Sequence, residues 1–309
     1  GSSSTPTIKA RLFRNSSSIT SLRKASAFLW SSNADTLGWE ATTRGSTGSL
    51  PVLVIDVVLI IVLGASLGSF LNVVIDRLPR KASLVRPGSH CNSCGKKIPF
   101  WLNIPIISYL ALKGKCKYCG ARFHWHHLLV EIITPLMFLA LYAVYGLSPM
   151  FFKFATMVSF LIPIFFIDAY HKIIPLALTL PLIASGWLWA LVPETFVSFP
   201  DSLLASVLTF AFLYLLALAW EKIFRKEGLG GGDVVLFPGV AAYFGLLNIP
   251  FIVILACLMG IIYFLAFVRK NTPFAFGNFI AAAAVIWALA GEWILSLAGL
   301  PAFVSLFSN

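Results

Sequence analysis

Beyond a polar opening stretch, the chain alternates between long apolar runs and short joints. The first run extends from about Leu50 to Val74. After a polar stretch at 77–126, further runs occupy about 127–145, 149–167, 173–192, 202–220, 234–246, 249–268 and 276–299. A helix needs roughly 20 apolar residues to cross a hydrocarbon layer, and within lipid it satisfies its own backbone polar groups. The pattern predicts an all-α polytopic membrane protein of about eight transmembrane helices, with the sixth run the shortest. Gly and Pro punctuate the joints at Gly146, Pro149, Pro193, Pro250 and Pro273. The expected organisation is a tail at 1–49, a first transmembrane helix at 50–76, a loop domain at 77–126 and a membrane portion of seven helices at 127–309. In the first helix, Gly64-x-x-x-Gly68 has the small-residue spacing that lets two helices approach closely.

Composition agrees with burial in lipid. The chain is 59% hydrophobic and 11% charged, against about 25% charged in soluble domains. Residues 1–49 differ from the rest. They are rich in Ser and Thr, open on a Gly-Ser-Ser-Ser that resembles a tag remnant, and contain no apolar core of signal-peptide length. They read as a tail, tag or disordered segment.

The net charge of +11 raises the question of nucleic acid, but the basic residues sit in joints between apolar runs. That placement suits topology control and anionic headgroups, and it argues against a nucleic-acid partner. The 77–126 loop carries basic side chains from Arg77 to Arg122, and the next joint has none. Lys172 marks the joint after that, and the joint around Glu194 and Asp201 has none. Lys222, Arg225 and Lys226 follow, then a joint at Leu247 without any, then Arg269 and Lys270. By the positive-inside rule the basic joints are cytoplasmic. Both termini then lie outside, an orientation the basic residues of the tail oppose.

Cys91-x-x-Cys94 and Cys116-x-x-Cys119 stand 21 residues apart in the loop. Two such knuckles can set four thiolates around one tetrahedral zinc. Gly95 and Gly120 follow them as turn formers, and Lys96, Lys97, Lys115 and Lys117 offset the thiolate charge. The alternative, two disulfides, conflicts with the cytoplasmic side expected for this loop. Four protein ligands leave no position for a catalytic water, so the expected role is structural. His90 is a substitute ligand. Cys257, in mid-span, reads as an apolar packer. His124, His126 and His127 lie where the loop re-enters the membrane and read as interfacial, with a second metal as the alternative.

Carboxylates in membrane spans are functional candidates by default. Asp168 ends the third span behind Phe165-Phe166-Ile167, and Asp233 follows Gly230-Gly231-Gly232 and opens the sixth. They are 65 residues apart in sequence, yet the topology sets both at the cytoplasmic edge, where helix packing can bring them together. The glycines let a substrate strand approach Asp233. Two facing carboxylates can divide the work of general base and general acid without a covalent intermediate. A helix cap is the plain alternative for either. Glu131, near the start of the second span, is a supporting candidate at the same face, and Glu292 is expected towards the outer half. No nucleophile elbow, phosphate-binding loop or His-Glu-x-x-His motif is present. An ion-relay transporter predicts acids near mid-membrane or an inverted repeat, neither of which the sequence offers. A structural membrane partner that docks other proteins through its zinc loop is the remaining rival.

Taken in order, these residues resemble the type IV prepilin peptidases. Gly68-Ser-Phe-Leu-Asn72-Val-Val74 with Arg77-Leu-Pro79 resembles the first-span signature, and the paired knuckles resemble those of bacterial members. Glu131 fits the start of the second span. Asp168 with Pro175 and Gly230-x-Gly232-Asp233 resemble the two catalytic aspartate regions. Pro273-Phe-Ala-Phe-Gly277 resembles a Pro-Phe-Gly segment with an extra Ala-Phe. The resemblance covers about residues 60 to 280. It implies a bacterial inner-membrane aspartyl endopeptidase with Asp168 and Asp233 as catalytic pair. Such an enzyme removes the basic leader of type IV prepilins and type II secretion pseudopilins, cutting after a Gly on the cytoplasmic side. It further implies methylation of the new N-terminus with S-adenosylmethionine.

Overall fold

The computed structural model describes residues 50–86, 88–91, 93–225, 230–267 and 276–299. The readings of the tail at 1–49, of Lys226, Arg269 and Lys270, and of Pro273, Phe274 and Ala275 lie outside the described residues. The helices are α1 (Leu50–Arg77), α2 (Ile107–Ala111), α3 (Trp125–Tyr145), α4 (Pro149–His171), α5 (Leu176–Trp189), α6 (Phe199–Phe224), α7 (Gly231–Phe244), α8 (Ile249–Phe267) and α9 (Gly277–Leu297). Among the described residues there is no strand, and two isolated bridges brace the polar loop.

Each expected apolar run is a helix. Six of them, α1, α3, α4, α6, α8 and α9, are long and apolar enough to cross a membrane, which makes this a multi-pass membrane protein. The other two, α5 and α7, have 14 residues each. At 1.5 Å per residue they reach only about 21 Å, short of a full hydrocarbon thickness. The run at 173–192 is trimmed at its start because Pro175 is extended and caps α5 from outside. In the other direction, polar ends lengthen helices beyond their apolar runs. Ser198 accepts a hydrogen bond from the Asp201 amide and starts α6 three residues before the expected 202, with Pro200 in the first turn. Ser148 likewise caps α4 ahead of Pro149.

Burial identifies the centre of the bundle. Short α7 is enclosed along almost its whole length and packs on α5, α6 and α9. Small residues allow the closest approaches. A side chain on Gly239 would meet Leu182 Cδ2 at 2.8 Å, and one on Gly186 would meet Ala242 Cβ at 2.5 Å. Helix α4 packs on α3, α5 and α9. The Gly64-x-x-x-Gly68 spacing works as read. A Cβ on Gly64 would lie 2.7 Å from Pro135 Cα and one on Gly68 3.0 Å from Glu131 Cα, so α1 rides directly on α3. The Asn72 amide ties the same pair by donating to the His127 carbonyl at 2.9 Å.

Counting apolar runs passed over Lys153. It is fully buried in α4, its Nζ has no hydrogen-bond partner among the described residues, and it lies 4.4 Å from the Phe196 ring centroid. A cation–π contact of this kind returns about 0.5–2 kcal/mol, against about 1–3 kcal/mol for an unsatisfied buried donor. Lys153→Met keeps the volume and removes the amine. The expected result is a thermal midpoint in detergent equal to the parent's or a few degrees higher; a lower midpoint would show that the amine has an unrecognised stabilising partner.

Candidate active site and metal centre

Asp168 lies in the last turn of α4 and is buried. The helix ends just beyond it, where Lys172 turns left-handed (φ 58°) and returns its amide to the Asp168 carbonyl. The chain then runs through Ile173 and Ile174 to Pro175 and α5. The Asp168 carboxylate is held from another helix, because the Asn278 amide, in the first turn of α9, donates to Oδ2 at 3.1 Å.

Asp233 lies in the first turn of α7 and is also buried. Gly230 caps that turn, and the Asp233 amide donates to its carbonyl at 2.9 Å. The carboxylate folds back over the cap, so that a Cβ on Gly230 would lie 3.0 Å from Oδ2. The helix N-terminus offers this charge unpaired amides and the favourable end of the helix dipole.

Ile174 joins the two halves. A Cβ on Gly232 would lie 2.8 Å from Ile174 Cβ, and a Cβ on Gly277 would lie 2.6 Å from Ile174 Cδ1 and 2.9 Å from Asp168 Oδ2. One isoleucine side chain thus rests against the residue before Asp233 and against the residue before Asn278, the donor to Asp168. The ends of α4, α7 and α9 converge on it. Gly231 faces open space, where a Cβ would meet nothing within 4 Å. The glycines therefore divide their work: Gly230, Gly232 and Gly277 permit close packing, and Gly231 leaves an approach clear.

Gly277→Ala tests this packing. The added methyl must displace either Ile174 or the Asp168 carboxylate. Misplacing a reacting group by about 1 Å can cost on the order of 100-fold. Any activity that depends on the two acids is expected to fall by about 10–100-fold while the thermal midpoint moves little; an unchanged rate would mean that the packing on Ile174 does not position the acids.

Glu131 is differently engaged. Its Oε2 accepts the Ile106 amide at 2.7 Å, and its described contacts are with the loop and with Gly68 and Ser69 of α1, not with either aspartate. Ile106 itself sits at φ 62°, unusual for a β-branched residue, and the bond to Glu131 secures that turn ahead of α2. Glu131 also borders a cavity of about 400 Å³ between α1, the loop and α3, lined by both polar and apolar side chains.

The four cysteines meet. The sulfur atoms of Cys91, Cys94, Cys116 and Cys119 all lie within 4.8 Å of one another, and Cys91 and Cys119 stand 3.8 Å apart. Sulfurs about 2.3 Å from a tetrahedral ion have edges of about 3.8 Å, so the donor set fits one. All four are free thiols, which sets aside the disulfide alternative. The knuckles share one local design. The Cys91 amide donates to Lys96 O and the Cys116 amide to Ala121 O, while Gly95 and Gly120 donate back to Cys91 O and Cys116 O. Both glycines have positive φ (68° and 72°). The bridges His90–Lys97 and Lys115–Arg122 close the two turns. The backbone amides of Cys94 and Ser93 point at the Cys91 sulfur and lower its pKa to about 6, which favours the thiolate a metal requires.

Sequence reasoning missed Asp76, Asn278 and Ile174. Asp76 sits at the end of α1, where it reads as an ordinary helix-end carboxylate. Asn278 acts through its backbone, and Ile174 through its shape.

Comparison with known proteins adds kinship. Residues 62–145, which hold the four cysteines and Glu131, match the family model described as the bacterial peptidase A24 N-terminal domain. Residues 155–265, which hold both aspartates, match the type IV leader peptidase family. A prepilin leader peptidase/N-methyltransferase from Myxococcus xanthus is 37% identical over 186 residues, 60% of this chain and 55% of that protein. Proteins of the same name are 33% identical in Neisseria gonorrhoeae, covering 70% of this chain and 84% of theirs, and 34% identical in Dichelobacter nodosus, covering 75% and 91%. No solved structure matches. With both halves matched in order and a relative of one-third identity aligned over most of its length, the chain belongs to the type IV leader peptidase family.

Proposed function

We propose that this protein is a membrane aspartyl endopeptidase that removes the leader peptide of type IV prepilins and type II secretion pseudopilins, cutting after Gly at the cytoplasmic face of the bacterial inner membrane. The observation that carries this reading is that Gly232, beside Asp233, and Gly277, against the Asp168 carboxylate, pack from separate helices on the one side chain of Ile174. One carboxylate takes a proton from a water as that water attacks the scissile carbonyl. The other gives its proton to the carbonyl oxygen as the tetrahedral diol forms; when the C–N bond breaks it recovers a proton from a diol hydroxyl, the first carboxyl passes the water's proton to the leaving amine, and no covalent enzyme intermediate forms. The Asn278 amide fixes one of the Asp168 oxygens, leaving the other for chemistry. The open side of Gly231 gives an extended substrate strand room beside Asp233.

The cytoplasmic orientation is supported by the alternation of basic and non-basic joints. Zinc is the ion proposed for Cys91, Cys94, Cys116 and Cys119, in a structural role that ties down a loop with little core of its own. Methylation of the new N-terminal residue with S-adenosylmethionine is proposed from the relatives' N-methyltransferase names and the family resemblance.

The test is incubation of the reconstituted protein with a prepilin peptide and methyl-labelled S-adenosylmethionine, reading cleavage and label separately. Both are expected. No cleavage of any prepilin peptide by folded, metal-loaded protein would overturn the peptidase reading, and cleavage without label would remove only the methyl transfer.

A further inference from the structure

We propose that Asp76, His126 and His127 form a second metal site, separate from the four cysteines, that takes a first-row divalent transition ion such as zinc. Asp76 is the penultimate residue of α1, and the two histidines lie in the first turn of α3. The backbones that carry them are held together by the glycine contacts of α1 on α3 and by the bond from Asn72 to the His127 carbonyl. The three side chains therefore meet on a fixed frame.

Distance and chemistry then point to an ion. Asp76 Oδ1 lies 3.4 Å from His126 Nε2, and Asp76 Oδ2 lies 3.6 Å from His127 Nε2. N–H···O hydrogen bonds cluster at about 2.7–3.2 Å, so these spacings are long for direct bonds. Nitrogen and oxygen ligands about 2.0–2.1 Å from a tetrahedral ion stand about 3.3 Å apart, near the spacing of each imidazole from the carboxylate oxygen it faces, so an ion between them meets both oxygens of Asp76. One donor atom from each residue lies within 4.8 Å of the others.

The state of His126 is the second, independent observation. It is only 7% exposed, and neither ring nitrogen has a hydrogen-bond partner among the described residues. Its Nε2 faces only the Asp76 carboxylate, at a distance long for a hydrogen bond, and the lone pair of a neutral imidazole is a metal ligand. Two imidazoles and one carboxylate suit zinc, iron, nickel or copper, and they suit magnesium or calcium poorly.

Three protein ligands leave coordination positions open. Asp76 and His127 also line the 400 Å³ cavity that Glu131 borders, so water or an anionic group has room to complete the shell. This separates the site from the closed four-cysteine centre. The His126 ring also lies 5.5 Å from the ring of Tyr170 on α4, which closes that side of the site.

The test uses the full chain in detergent, stripped of metal and titrated with cobalt(II) alone. The parent is expected to bind about two ions, one giving thiolate-to-cobalt absorption and one the weaker visible bands of a nitrogen and oxygen site. In His126→Gln/His127→Gln the second signal is lost and the thiolate bands remain, the latter reporting that the loop is still folded. Asp76→Asn, nearly isosteric, weakens the second ion by about 100-fold. Cys91→Ser/Cys116→Ser does the reverse, so failure of the cysteine site and failure of this one are read apart. Uptake of the thiolate-bound ion alone by the parent, or a second ion unaffected by Asp76→Asn and by the double histidine change, would overturn the proposal.

Discussion

Asp168→Asn and Asp233→Asn are each expected to lower leader cleavage by about 1000-fold or more while the protein remains folded. General acid–base catalysis contributes about 100- to 10,000-fold for one positioned group, and a pair in which each member depends on the other loses most of its function with either. Asn has almost the volume of Asp and can still accept the Asn278 amide that Asp168 receives. It cannot take a proton from water. Lys172 acts on Asp168 only at a distance and neither aspartate makes a salt bridge among the described residues, so removing either buried charge should not destabilise the bundle. Thermal midpoint and cleavage rate, measured on the same reconstituted sample, separate lost chemistry from lost fold. A variant that unfolds would show that the carboxylate is structural, and one that cleaves at the parent's rate would exclude it from the chemistry.

The second large effect concerns the loop. In Cys91→Ser/Cys116→Ser the cysteine-bound ion is expected to be absent and the segment between α1 and α3 to become sensitive to protease. Structural zinc in small domains supplies about 10–16 kcal/mol of apparent binding free energy, and this loop has no sheet and only short helices of its own. The helical bundle should keep its midpoint, because its core is built from α4, α5, α7 and α9. The pH dependence has a definite sign. Hydrogen bonds from the Cys94 and Ser93 amides depress the Cys91 thiol to about 6, so the thiolate persists above that value and is lost as pH falls through it. Metal retention measured against pH should weaken as pH falls, at values below that of the metal-free thiol because a bound ion competes with protons for the sulfurs. A loop that stays protease-resistant in the metal-free parent would mean that the knuckles fold without an ion.

Much of this arrangement was legible in the chain because it depends on local pattern. Apolar runs revealed the helices, and the loss of two full-length spans traces to local causes: Pro175 trims α5, and α7 is enclosed by neighbours and need not reach both faces. The knuckles were readable because two short spacings with following glycines determine the local backbone. The aspartates stood out because carboxylates are rare in such runs. Ile174 could not be found this way. Nothing in an isoleucine near a proline indicates that its side chain will touch Gly232 and Gly277, residues far along the chain. Asn278 contributes an amide that every non-proline residue carries. Lys153 was hidden inside an apolar run, and Asp76 became notable only when α1 crossed α3 beside two histidines. Glu131, read as an aid to the aspartates, instead bonds to Ile106 in the loop.

A double-variant comparison in lipid tests most directly whether the two acids act as one unit. If they do, Asp168→Asn/Asp233→Asn cleaves no more slowly than either single variant, because one loss already disables the pair. Single losses that multiply in the double variant would mean independent contributions, and a single variant at full rate would mean that one acid takes no part; either result contradicts a shared site.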